Sequence, residues 1–103
     1  MLKPIKQNRL LHLFEQPIQL MVHFKPAQMS QPNISVEVAP KASDEVLPED
    51  ARIEILDAKG KVVMLAVACG TQKLTLEFSG EKGERFAVRI SFHSRLLLQS
   101  FTI

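Results

Sequence analysis

The chain has 103 residues, 46% of them hydrophobic and 23% charged, which fits one ordinary soluble domain and excludes two independent cores. Thirteen Lys and Arg against eleven Asp and Glu leave a net +2, short of the excess carried by a dedicated nucleic-acid or membrane binder. One cysteine, Cys69, excludes an internal disulfide framework and a thiolate zinc cluster.

The first residues lack the apolar stretch of a secretory signal, and no run reaches the ~18 apolar residues of a bilayer span. A cytoplasmic setting without membrane contact is therefore expected, and a lone reduced thiol agrees with it. A single domain over 1–103 is expected, and residues 1–8 could form a loosely ordered N-terminal arm. Residues 9–14 fit either a strand with Leu11 and Leu13 inward or a helical turn uniting Leu10, Leu13 and Phe14. Pro17 follows so soon that the strand is the better reading.

From there, two-residue alternation dominates. Ile18, Leu20, Val22 and Phe24 alternate with Gln19, Met21, His23 and Lys25, and Ile34, Val36 and Val38 with Ser35 and Glu37. Residues 41–50 carry Asp44, Glu45, Glu49 and Asp50 around Pro48 and read as a solvated loop. Ile53 and Ile55 flank Glu54, and Asp57, Ala58, Lys59 and Gly60 form a turn. Leu74, Leu76 and Phe78 resume the pattern, and Phe86, Val88, Ile90 and Phe92 repeat it.

All six prolines lie at or before position 48, and all four glycines lie at or after position 60. Short or edge strands with open loops are expected in the first half, and tight hairpins in the second. Seven or eight short strands, each with one apolar and one wetter face, predict an all-β antiparallel sandwich. Its general architecture would be immunoglobulin-like.

Several of these segments carry a family resemblance. Residues 83–90 (GERFAVRI) follow a strand reading KLTLEF, and FTI occupies 101–103. Upstream stand Leu47 and Pro48, then RIEILD at 52–57 and the Gly60 turn. Together, over roughly residues 8–103, they resemble the C-terminal β-domain of a cyanobacterial family catalogued as domain of unknown function eighteen twenty-two. The resemblance implies a β fold and brings no catalytic residues with it.

Chemistry-bearing constellations are sparse. His23 and His93, and His12 if 9–14 is a strand, fall on the polar phase, without the close ligand pair a metal site wants. Ser91 and His93 on one strand would stand ~6.6 Å apart, beyond the reach of a nucleophile to its base. Cys69 ends an apolar run and is expected to be a buried, inert thiol. Residues 79–84 (SGEKGE) look phosphate-binding only superficially, because Glu81 and Glu84 repel an anion and a strand follows; a hairpin loop is expected. No enzyme activity, metal or cofactor is therefore expected. Absent Trp and Tyr argue against carbohydrate, and five of the six Phe in core phase argue against single-stranded nucleic acid.

Two surfaces remain. Arg85, Arg89 and His93 recur at four-residue spacing, ~13 Å between neighbours on an extended strand. With Lys25 they could engage an acidic or nucleic-acid partner; otherwise they would pair with Glu77 on the preceding strand. The second surface is apolar. Residues 62–69 are greasy on both faces, Val62, Met64, Ala66 and Ala68 on one and Val63, Leu65, Val67 and Cys69 on the other. Leu96, Leu97 and Leu98 repeat the feature, with Leu97 taken as its docking representative. Either residues 1–15 or a face-switching bulge cover these strands, or another protein does, a second copy included. The expected function is accordingly a non-enzymatic protein-interaction module.

Overall fold

The computed structural model describes residues 5–13, 16–25, 33–42 and 44–103. They form eight strands: β1 (Ile5–Leu13), β2 (Gln16–Lys25), β3 (Asn33–Pro40), β4 (Arg52–Leu56), β5 (Val62–Val67), β6 (Leu74–Ser79), β7 (Arg85–Phe92) and β8 (Arg95–Thr102). No helix occurs among the described residues, and so none there could cross a membrane. Two four-stranded antiparallel sheets result, ordered β1-β2-β3-β6 and β5-β4-β7-β8. Leaving β1 aside, β2 to β8 follow the Greek-key order of an immunoglobulin-like sandwich, three strands facing four.

Alternation explains the core. Ile18, Leu20 and Val22 of β2 and Ile34, Val36 and Val38 of β3 are fully buried. From the opposite sheet they meet Ile53 and Ile55 of β4, and Phe86, Val88 and Ile90 of β7. An aromatic cluster closes one end of the sandwich. Phe86 stacks on Phe101 at 5.3 Å, meets Phe78 edge-on at 5.2 Å and reaches Phe24 at 6.2 Å. Such pairs add ~0.5–1.5 kcal/mol each beyond area burial.

The seam where β1 faces β8 is polar. Arg9 turns inward, its guanidinium 5.1 Å above the Phe101 ring, and its Nη1 donates to Gln99 Oε1 at 2.9 Å. An Arg stem covers apolar surface while its head stays hydrogen-bonded, which suits an edge that only partly excludes water.

Several expectations need correction. The proline-bearing half holds the longest strand, β2, because Pro17 stands second in it and Pro40 ends β3, where little of the ladder is lost. Residues 5–8 belong to β1 rather than to an arm, and residues 1–4 lie outside the described set. Residues 79–84 do not close a hairpin, since β6 and β7 lie in different sheets; they carry the chain across the sandwich. The loop at 41–50 is not wholly solvated, since Leu47 is buried and its N–H donates to the Thr71 carbonyl.

Candidate docking surface

The site is the outer face of the β5-β4-β7-β8 sheet. The β4–β5 hairpin is set by Asp57, whose Oδ1 accepts the Lys59 and Lys61 N–H groups, both at 2.9 Å. Gly60 completes the turn at φ 82°, a left-handed conformation that favours glycine. Those bonds hold the Asp57 carboxyl below its ordinary range. The hairpin aligns β5 on β4 so that Leu65 stands opposite Glu54 and Val67 opposite Arg52. On its other side β4 sets Glu54 opposite Arg89 and Arg52 opposite Ser91. Then β7 sets Arg89 opposite Leu98 and Ser91 opposite Leu96. Side chains directly opposite one another share a face, so the central row reads Leu65, Glu54, Arg89, Leu98.

Val63, Leu65, Val67, Leu96 and Leu98 are each about half exposed on this face. They line its two edge strands, and the polar pair lies between them. Arg89 Nε donates to Glu54 Oε1 at 2.9 Å. The side chains retain 31% and 9% of their exposure, so the pair is sheltered rather than open. Arg89 hydrogen bonding holds the Glu54 carboxyl below the usual carboxylate range, outweighing the desolvation that acts the other way.

The expected candidates separate. Val63, Leu65 and Val67 point outward, as the odd phase of β5 predicts, while Met64 and Ala66 pack on the core. Leu97 faces inward against the core; its neighbours Leu96 and Leu98 carry the apolar face of β8. The described part of the N-terminal segment extends the other sheet as β1 and meets β8 through Arg9 and the inward Gln99, not over the outer apolar face. A bulge does occur, between Ile55 and Leu56, yet it leaves the odd phase of β5 outside.

Only part of the basic stripe assembles, Arg85 and Arg89 sharing the outward phase of β7. Arg89 is engaged by Glu54, and not by Glu77, which sits in the opposite sheet. His93 lies in the β7–β8 turn at φ 53°, with its ring against Phe92, rather than on the strand face. Arg85 is exposed on β7, whereas Lys25 projects from the other sheet. The side chain of His12 lies outside the described residues.

Cys69 is exposed, a correction with a simple cause. Ala68 takes the buried inward place, β5 ends at Val67, and the chain turns through Thr71, whose hydroxyl accepts the Cys69 N–H. Sequence reasoning missed Glu54, which alternates with Ile53 and Ile55 as any outward residue does; only the pairing of β4 with β7 brings Arg89 opposite it.

Little converges chemically elsewhere. Among the described residues no group of three His, Cys, Asp or Glu could hold a metal ion. An open concavity of about 640 Å3 beside β7 is lined by Asp57, Arg85, Leu98 and Ser100, but Asp57 is committed to its turn.

A family model described as "Protein of unknown function (DUF1822)" matches residues 5–97. No curated protein and no solved structure matches the chain. With nearly its whole length covered, the chain belongs to the DUF1822 family.

Proposed function

We propose that this domain is a non-enzymatic interaction module that docks onto another protein through the outer face of the β5-β4-β7-β8 sheet. The observation that carries the reading is the concentration of aliphatic side chains there, on strands β5 and β8, beside a sheltered ion pair. Edge strands are usually blunted by charge, yet β5 reads VVMLAV. Left in water, such a face favours aggregation; covered by a partner, it releases ordered water at ~25 cal/mol per Å2 of apolar area. An unpaired, exposed Cys69 agrees with a reducing, cytoplasmic setting.

The test is capture from a native extract by the intact domain and by Leu65→Glu, washed at low and high salt. A partner that withstands high salt and is lost from the variant supports apolar docking. A partner released by salt and retained by Leu65→Glu would instead indicate charge-mediated binding through Arg85 and its neighbours, and would overturn the proposal.

A further inference from the structure

From β5 to β8 the central row of the outer face runs apolar, negative, positive, apolar: Leu65, Glu54, Arg89, Leu98. A two-fold axis in the plane of contact, parallel to the strands and midway between β4 and β7, reverses that order in a facing copy. Glu54 then opposes the partner's Arg89, and Leu65 opposes the partner's Leu98. In the next row Val67 opposes the partner's Leu96, and Arg52 the partner's Ser91. In these two rows no like charges meet. We infer that the outer face of this sheet is the interface of a homodimer, in which two copies stack sheet on sheet about that axis. The inference names the partner for the docking face proposed above and rests on that reading.

The atoms of the ion pair suit a second carboxylate. The bond within the chain uses Nε of Arg89 and Oε1 of Glu54. A guanidinium presents five N–H donors in a fork and a carboxylate four lone-pair sites. Arg89, with 31% of its side chain exposed against 9% for Glu54, is therefore the member that reaches across, its terminal nitrogens meeting the partner's Glu54. Sheets pack ~10 Å apart, a gap that two long polar side chains span. Aligned sheets cross at about −30°, so the match is closest at the central row and looser toward the ends. A two-fold contact is also closed, covering both apolar edges without propagating into a fibre.

Four strands at ~4.8 Å spacing and five residues at ~3.4 Å cover a face of roughly 19 by 17 Å. That lies below the ~800 Å2 per partner of standard interfaces even with side-chain relief, which places the contact among weak, transient associations.

The test is light scattering on size-exclusion fractions of the whole chain from low to high micromolar concentration. Leu65→Lys and Leu98→Glu change exposed positions, and each sets its new charge beside an opposite one, Glu54 or Arg89, so folding is retained. Wild type is expected to move from one-chain to two-chain mass as concentration rises. Either variant alone sets its two added charges against a leucine of the partner, with no opposite charge across the contact, and should weaken association roughly tenfold or more. An equimolar mixture should pair again, because the new ammonium of one chain faces the new carboxylate of the other. A wild type of one-chain mass throughout, a dimer indifferent to both variants, or a mixture that stays at one-chain mass would each overturn the homodimer. If only the homodimer fails, capture of another protein still depends on Leu65; if docking itself fails, that capture also survives Leu65→Glu.

Discussion

On the outer side of the β1-β2-β3-β6 sheet stand Asn8 and a half-exposed Leu10 on β1, Gln19, Met21, His23 and Lys25 on β2, Asn33, Ser35 and Glu37 on β3, and Thr75, Glu77 and Ser79 on β6. On the outer side of the β5-β4-β7-β8 sheet stand Val63, Leu65, Val67, Leu96 and Leu98, with Arg52, Glu54, Arg89 and Ser91 between them. The two sheets share a core and differ in what they turn outward. Their ion pairs differ in the same way. Lys73 bonds Glu37 at 3.1 Å with side chains 60% and 28% exposed, whereas Arg89 and Glu54 keep 31% and 9%. The more exposed pair is worth ~0.2–1 kcal/mol, while losing one member of the more sheltered pair strands the other with less water. The difference teaches that this second face keeps a polar centre without relying on solvent for it.

Inner and outer positions can be set against each other by substitution. The largest effect is expected at the shared core, where Phe86→Ala should cost ~3–5 kcal/mol in urea unfolding by emptying the aromatic cluster. A loss below 1 kcal/mol would mean that the inward phase of β7 is wrong. Between the ion pairs, Arg89→Ala should cost clearly more in urea unfolding than Lys73→Ala, which should stay within ~0.5 kcal/mol. Equal costs would erase the distinction drawn between the two sheets.

Acid sharpens the same contrast. Glu54 has its folded pKa lowered from the ordinary 4.5, chiefly by the Arg89 hydrogen bond. Its stabilisation is complete above that ordinary value and is lost as pH falls through the lower folded one. Thermal melts of wild type should therefore drop in acid more steeply than those of Glu54→Gln; parallel curves would show that the pair contributes nothing. Asp57 adds a fall of the same sign, common to both proteins.

Smaller effects come from the hairpin and the open surface. Gly60→Ala meets no atom within 4 Å but must hold φ 82°, and should cost about 1 kcal/mol. Leu65→Thr, in dilute single chains, should stay within ~0.5 kcal/mol, since water already reaches the side chain. A cost comparable to Phe86→Ala would show that the chain itself covers this face.

Much of this architecture was readable before any coordinates. Alternation at Ile18, Leu20 and Val22, or at Phe86, Val88 and Ile90, specifies an inward face whatever strand lies opposite. The doubled apolarity of β5 likewise exposed Val63, Leu65 and Val67 as outward residues needing an explanation. Leu97 was harder, because three consecutive leucines conceal their own phase until Ile90 is seen to sit opposite the middle one. His93 escaped because a two-residue turn and a continuing strand look alike when both flanks are extended.

The Arg89 partner depended on information that no local pattern holds. Sequence neighbours pair in many sheets, which made Glu77 the natural choice; here the chain changes sheets after β5 and again after β6, placing β4 beside β7. Period and composition by themselves determined the strands, the buried phase of each and the greasy odd face of β5, because these follow from side chains alternating about an extended backbone. Only the tertiary structure decided which strands lie side by side. It thereby set Glu54 against Arg89 and flanked them with Leu65 and Leu98, because pairing across 35 residues is chosen by packing of the whole core rather than by either strand alone.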